Sequence, residues 1–141
     1  MYGHIYTNTV NGIYGKIVND EYYKKISSKE VIEAASKYDI KEGKAYIYCT
    51  LTDGKINKYE IYIEKVLIDS KDNKSMVIRI TDEKLILETG GIVQGMSGSP
   101  IVQDGKLIGA VTYVFLNDPI RGYAVFVENM IYDMQNIEYE L

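Results

Sequence analysis

The chain has 141 residues and a net charge of −4, with 16 basic residues, 20 acidic residues and a single histidine. A length in this range predicts one domain. Charges of both signs are well mixed, which argues against a nucleic-acid-binding surface, because such a surface would show clustered Lys and Arg. No apolar run approaches the roughly 18 residues of a membrane span. No charged start followed by an apolar core indicates a signal peptide.

The sequence offers no donor set for a metal or a cofactor. Its only cysteine, Cys49, excludes an internal disulfide and a cysteine-rich zinc site, and its scattered carboxylates match no metal-binding spacing. A phosphate-binding loop requires Lys followed by Ser or Thr after its last glycine, whereas here Gly98 is followed by Ser99 and Pro100. We therefore expect neither a metal nor a cofactor.

The N-terminal third of the chain has the weakest patterns. Residues 1–18 are strand-like, and the polar segment 19–28 is predicted to be a surface loop. The next segment, 31–38, fits a helix preceded by a capping box at 27–30, and it also fits a strand. Because the residues that follow alternate with a period of two, we favour the strand.

Two Asp-Gly dipeptides lie between alternating runs, which is the strongest short-range signal for a β-hairpin. They are Asp53-Gly54 and Asp104-Gly105. The predicted strands of these hairpins are 45–51, 58–68, 100–103 and 106–115.

The remaining elements are also short. A strand is predicted at 75–81, followed by a helix that Asp82 caps and Gly90 ends. A turn at 117–119, a strand at 122–127 and a closing helix to about residue 135 complete the chain. Many short strands with regularly spaced turns indicate a mainly β protein, either a barrel or a sandwich.

The most informative stretch is the loop from Gly90 to Val102, which contains four glycines, two serines and one proline. Glycine reaches φ > 0 without a Cβ penalty, so such a loop can aim several backbone N–H groups at one point. An acyl-transfer enzyme needs these donors beside a nucleophilic serine, where negative charge develops. A tight turn rich in small residues is the alternative interpretation.

Within this loop, Gly95-Met96-Ser97-Gly98-Ser99-Pro100 looks like the nucleophile loop of chymotrypsin-like serine peptidases, with Ser99 where those usually carry glycine. The chain as a whole closely resembles the stage IV sporulation protein B (SpoIVB) peptidases, the S55 class of serine peptidases. The segments that carry this resemblance are 89–101, 105–112, 114–119 and 122–123, with 12–15 and 77–82 upstream. The resemblance extends over most of the chain and is densest from Met76 to Glu128.

The resemblance implies a trypsin/chymotrypsin-like β-barrel peptidase domain with one or two short helices. It implies that residues 1–141 are part of that domain, without the PDZ domain and the catalytic histidine segment of the family. The catalytic serine corresponds to Ser97 and the catalytic aspartate to Asp82, and the N–H groups of Gly95 and Ser97 would form the oxyanion hole. For Asp82, the alternative is a helix N-cap, worth about 1 kcal/mol.

A serine nucleophile of this class needs a base, and the only histidine is His4. The sequence Gly3-His4-Ile5 looks superficially like the Gly-His motif of the family. An alignment without gaps instead places it directly before residues 12–15, where the family has no catalytic histidine. We favour the second alignment, so the base is expected upstream of this chain and the chain alone is expected to have little peptidase activity.

The resemblance also implies a biological role. Family members are secreted into the space between the forespore and mother-cell membranes, where they cleave a membrane-bound inhibitor subunit. This cleavage releases an intramembrane protease that activates a late sigma factor, sigma-K. The alternative function is a non-catalytic, peptidase-like barrel that binds peptides along a strand edge. Unpaired strand edges also predict homo-oligomers formed by strand exchange.

Overall fold

The computed structural model describes residues 1–27 and 30–137. Within these residues, eight strands are observed: β1 Gly3–Thr9, β2 Gly12–Ile17, β3 Gly43–Thr50, β4 Ile56–Val66, β5 Met76–Ile80, β6 Pro100–Gln103, β7 Lys106–Phe115 and β8 Asp118–Phe126. There are three helices: α1 Asp20–Ser27, α2 Glu83–Thr89 and α3 Val127–Gln135. No described helix is long and apolar enough to cross a membrane.

Six of the strands form a closed barrel in the order β3-β4-β5-β8-β7-β6, and all neighbours are antiparallel. Closure occurs where β3 meets β6, with Ile47 opposite Ile101. Both Asp-Gly hairpins are present as predicted. In the second one, Asp104 and Gly105 have φ values of 50° and 77°, which is the left-handed pair that a two-residue hairpin turn requires.

The barrel interior is filled by residues that alternate along each strand. In β4, for example, Tyr59, Ile61 and Ile63 are buried while their neighbours face outwards. Leu85 of α2 and Phe126 at the end of β8 belong to the same apolar cluster. Removing this much apolar surface from water is the main favourable term in folding. The predicted mainly β barrel is confirmed.

Strands β1 and β2 form a separate two-stranded sheet. Its turn is attached to α3, because the Thr9 hydroxyl and the Asn11 amide both donate hydrogen bonds to Asp133 Oδ2, at 2.6 and 3.0 Å. Ile5 and Ile13 on this hairpin are exposed by 74% and 64%. The hairpin is therefore an appendage of the barrel, and it carries exposed apolar side chains.

The prediction of a loop at 19–28 is wrong for the described part of that segment, which contains α1. The side chain of Asn19 accepts a hydrogen bond from Tyr22 N at 2.8 Å, as an N-cap does. Acidic residues occupy the first turn and basic residues the last turn, which complements the helix dipole. No residue of α1 is buried, and its short, polar and charged sequence is the reason why a surface loop was predicted.

The strand favoured at 31–38 is also wrong. Ala34 forms only an isolated parallel bridge with Leu107, and Ser36 caps a single 3-10 turn at Lys37–Asp39. Residues 28 and 29 of the predicted capping box lie outside the described residues. Strand β8 starts at Asp118 rather than at residue 122, because the turn after β7 is tighter than predicted.

The barrel core predicts a contrast between two isoleucines of β4. Ile61 is fully buried, whereas Ile56 is 67% exposed. Ile61→Ala is expected to lower the free energy of unfolding by about 3 kcal/mol, and Ile56→Ala by less than about 1 kcal/mol. Urea denaturation of both variants measures this difference. Equal effects would contradict the placement of the core.

Candidate active site

The loop that carries Ser97 is fixed where it leaves α2. Gly90 ends the helix in the left-handed conformation, with φ of 76°. The next residue, Gly91, packs so closely against Pro119 that a Cβ would overlap its carbonyl oxygen, and Ile92 N donates to the same carbonyl at 2.7 Å. The start of the loop is therefore held against β8.

The far end of the loop is held against β7. Gly98 N donates to the carbonyl of Val111 at 2.8 Å, and Val111 N donates to the carbonyl of Ser99 at 3.0 Å. Two turns inside the loop complete the pattern: Met96 N bonds to Val93 O at 3.1 Å, and Ser99 N bonds to Met96 O at 3.0 Å. These bonds use the N–H groups of residues 96, 98 and 99.

The N–H groups of Gly95 and Ser97 are among those left over, together with the N–H groups of Val93 and Gln94. Among the residues that the structure describes, none of these four donates a hydrogen bond to a protein acceptor. A Cβ added to Gly95, which has φ of 99°, would meet no atom within 4 Å, so the space beside it is open. Two free donors beside an exposed serine are the arrangement that stabilises an oxyanion. Their role in catalysis stays a prediction.

The side chain of Ser97 is exposed, and its hydroxyl donates a hydrogen bond to the carbonyl of Thr112 at 3.0 Å. Its neighbours Met96 and Ser99 are buried, with 2% and 9% of their surface exposed. The loop therefore presents one hydroxyl to solvent. In this arrangement its proton points at a backbone carbonyl and not at a base.

Asp82 has a structural role as the cap of α2. Its Oδ1 accepts hydrogen bonds from the N–H groups of Lys84 and Leu85, at 3.1 and 3.2 Å. Its Oδ2 accepts one from Glu60 N at 3.2 Å. The predicted cap is present, and the same carboxylate also ties the helix to β4.

The strand register separates Asp82 from Ser97. Thr112, which contacts Ser97, follows Val111, and Val111 lies in register across β8 with Met76 at the start of β5. Asp82 is five to six residues further along, roughly 16 to 20 Å at 3.3 Å per residue. One imidazole with two hydrogen bonds spans much less. The structure does not bring Asp82 to Ser97, and its catalytic role stays a prediction without support from this geometry.

His4 is exposed on β1, opposite Lys16 of β2. No hydrogen bond joins it to Ser97 in the described part of the chain. The hairpin that carries it contacts α3 through its turn, at Thr9 and Asn11, and His4 lies five residues before Thr9. The structure therefore does not bring His4 to Ser97 either. In the same residues, no group of three or more acidic, histidine or cysteine side chains could hold a metal ion.

One feature of the site was missed by the sequence analysis, namely a free strand edge beside Ser97. Strand β6 pairs with β7 only as far as Ala110, whereas β7 continues to Phe115 and, among the described residues, pairs there with β8 alone. A signal was present, because the two predicted strands of this hairpin, 100–103 and 106–115, differ in length. The longer one had to extend beyond its partner.

A closed antiparallel barrel with a glycine-rich loop that exposes one serine is the arrangement expected of a barrel domain of a chymotrypsin-like peptidase. A model of the SpoIVB peptidase S55 family matches residues 1–131. The chain therefore belongs to the SpoIVB peptidase S55 family of serine peptidases. No curated protein matches it.

Solved structures show the same fold. The active form of the Rv3671c protease from M. tuberculosis is 15% identical, with a TM-score of 0.66 over 99% of this chain and 60% of the other. The inactive form is 13% identical, with a TM-score of 0.60 over 97% of this chain and 67% of the other. This chain thus spans less than two thirds of the length of the active form.

Asp82 is interpreted either as a helix cap or as a catalytic aspartate, and the two interpretations predict different effects of substitutions on stability and activity. As a cap, Asp82→Ala should lower the free energy of unfolding by about 1 kcal/mol, and Asp82→Ser should restore most of it. Urea denaturation measures both, with Glu83→Ala as the control on an adjacent exposed carboxylate. If Asp82→Ser folds stably but abolishes peptidase activity in the natural protein, the carboxylate is catalytic after all.

Proposed function

We propose that this chain carries the nucleophile of a serine endopeptidase, with Ser97 as that nucleophile. The observation that supports this most directly is the exposed Ser97 hydroxyl in a loop whose Gly95 and Ser97 N–H groups have no described acceptor. In the reaction, Ser97 Oγ attacks the scissile carbonyl and passes its proton to a base. The two N–H groups stabilise the oxyanion, and the base then returns the proton to the leaving amine.

A polypeptide substrate fits the free edge of β7. An extended segment can add to an exposed edge through backbone hydrogen bonds, while its alternate side chains enter pockets. The edge starts at Thr112, whose carbonyl is 3.0 Å from Ser97 Oγ. When a substrate binds, the Ser97 hydroxyl must break its hydrogen bond to this carbonyl. The Thr112 carbonyl can then accept a hydrogen bond from the substrate, and the hydroxyl can donate its proton to the base.

The base must come from another segment. No imidazole lies beside Ser97 among the described residues, and loss of one triad member removes most of the rate while leaving the contribution of the oxyanion hole. The lack of an imidazole beside Ser97 among the described residues also favours a second candidate function, a peptide-binding module without catalysis. The two functions share the β7 edge and differ in their need for the Ser97 hydroxyl.

The membership of the family supports a finer proposal for the substrate. In this proposal, the protein acts between the forespore and mother-cell membranes and cleaves a membrane-bound inhibitor subunit. The cleavage triggers activation of a late sigma factor during sporulation. Nothing in the fold selects this substrate, so the proposal rests on the family alone.

The decisive variant is Ser97→Ala in the natural protein. It should lower cleavage of polypeptide substrates by several orders of magnitude and block spore formation, whereas Ser99→Ala, two residues away, should leave both largely intact. The 141-residue chain alone should react slowly with a fluorophosphonate probe. Unchanged cleavage in Ser97→Ala favours the binding module, and stoichiometric labelling of the isolated chain would contradict the need for an outside base.

We also propose that a second copy of the chain can pair with the β1–β2 hairpin. In the part of the chain that the structure describes, each of these strands has one neighbour. Ile5 and Ile13 also leave apolar surface exposed, which promotes association. Ile13→Lys should shift the chain towards monomer in sedimentation equilibrium. The control Val31→Lys, at a residue that is 88% exposed outside the hairpin, should have no effect. A chain that is monomeric at all concentrations refutes this pairing.

A further inference from the structure

A groove with aromatic walls lies beside the free edge of β7. Tyr113 and Tyr123 face each other across the β7–β8 pair, and the ring of Phe115 is 4.9 Å from that of Tyr123, tilted by 57°. Lys74 and Asp118 also line the groove. Lys74 lies level with the tyrosine pair, whereas Asp118 is paired with Phe115, further from Thr112.

A chain of hydrogen bonds joins this groove to the nucleophile. Ser97 Oγ donates to the carbonyl of Thr112, and Thr112 Oγ1 donates to the carbonyl of Asn73 at 2.7 Å. The side-chain amide of Asn73 in turn donates to the hydroxyl of Tyr113 at 3.0 Å. The groove therefore keeps a defined position relative to Ser97.

Lys74 brings a positive charge that no described carboxylate neutralises by a salt bridge. Its Nζ lies 6.0 Å from the ring centre of Tyr113 and 5.5 Å from that of Tyr123. The nearby Asp72 is held in the loop, because its Oδ1 accepts the Lys74 N–H at 2.9 Å and the Ser70 hydroxyl at 3.0 Å, and it forms no salt bridge with the Lys74 ammonium. The Lys74 N–H is the main cause that lowers the pKa of Asp72.

The carboxylate in the groove is already paired. Asp118 Oδ2 lies 3.3 Å from the guanidinium of Arg121, and Arg121 also contacts Glu64 at 2.9 Å. The ammonium of Lys74 forms no salt bridge with a described carboxylate and lies beside aromatic surface, while Asp72, which does not line the groove, attracts it from outside. A carboxylate on a short apolar stem complements both features.

The direction of β7 indicates which part of a substrate reaches the groove. β7 runs away from Ser97 from Thr112 to Phe115, and its neighbours in the barrel are antiparallel. A substrate added in the same antiparallel sense runs towards Ser97, so the residues before its scissile bond lie along the groove. The three residues of β7 from Tyr113 to Phe115 span about 10 Å, which is the length of three extended substrate residues. The groove therefore lies level with the second to the fourth residue before the scissile bond.

We propose that this groove binds an acidic side chain of the substrate, two to four residues before the scissile bond, and that Lys74 is the residue that selects it. The methylene groups of a glutamate pack on the tyrosine rings while its carboxylate reaches Lys74 Nζ. This inference rests on the proposed function for the position of the scissile bond. It adds the class of side chain that the site prefers.

The test uses fluorescein-labelled hexapeptides that end in a free carboxylate and differ only in Glu or Gln at the second, third or fourth position from that end. Their binding is measured by fluorescence anisotropy on the natural protein with Ser97→Ala, which prevents hydrolysis. At one of these positions Glu should bind about three- to fivefold more tightly than Gln, as an exposed ion pair allows. The preference should fall as salt is added.

Lys74→Gln should bring the Glu-to-Gln ratio to one. Lys71→Gln removes the same charge from the same loop, outside the groove, and should leave the ratio unchanged. Equal binding of Glu and Gln at all positions, a preference that survives Lys74→Gln, or no peptide binding overturns the proposal. A different result separates the two proposals. If the preference for Glu depends on Lys74, but the natural protein and its Ser97→Ala variant cleave polypeptides equally fast, the acidic-side-chain groove is supported and the peptidase assignment is wrong.

Discussion

The candidate active site depends on a pair of reciprocal backbone hydrogen bonds between the Ser97 loop and strand β7. Gly98 N donates to Val111 O at 2.8 Å, and Val111 N donates to Ser99 O at 3.0 Å. They continue the β6–β7 pairing beyond Pro100, so the loop is an extension of the barrel wall. A displacement of the loop would break hydrogen bonds of the barrel itself, which resists it.

The same geometry leaves the N–H groups of Gly95 and Ser97 without a described acceptor, as it does those of Val93 and Gln94. The N–H groups of residues 96, 98 and 99 are used to build the loop, while Gly95 takes a φ of 99° that other residues rarely adopt. The loop thus leaves the N–H groups of Gly95 and Ser97 without a described acceptor, beside an exposed serine. Where β6 stops and β7 continues, the barrel leaves an edge for a polypeptide, and the Lys74 groove lies along that edge. The free N–H groups, the exposed Ser97 hydroxyl and the free edge of β7 all result from the way in which the loop and β6 pair with β7.

Local patterns predicted the parts of the structure that local chemistry determines. The Asp-Gly turns, the Asp82 cap and the Ser97 loop each follow from a few adjacent residues, and the structure contains all of them. Helix α1 was missed because its eight residues are mostly polar and charged, as in a surface loop. The distance between Asp82 and Ser97 depends on the register of three strands and on a bulge in β7. The Lys74 groove combines residues from separate strands, which no local pattern brings together.

The central claim is that the N–H groups of Gly95 and Ser97 receive the oxyanion formed on Ser97. A crystal structure of the natural protein after reaction with a peptidyl phosphonate tests it most directly, because the adduct mimics the tetrahedral intermediate. We expect phosphorus bonded to Ser97 Oγ, with one phosphonyl oxygen about 2.7 to 3.1 Å from both nitrogens. An adduct on another residue, or an oxygen that points away from both N–H groups, would contradict the account.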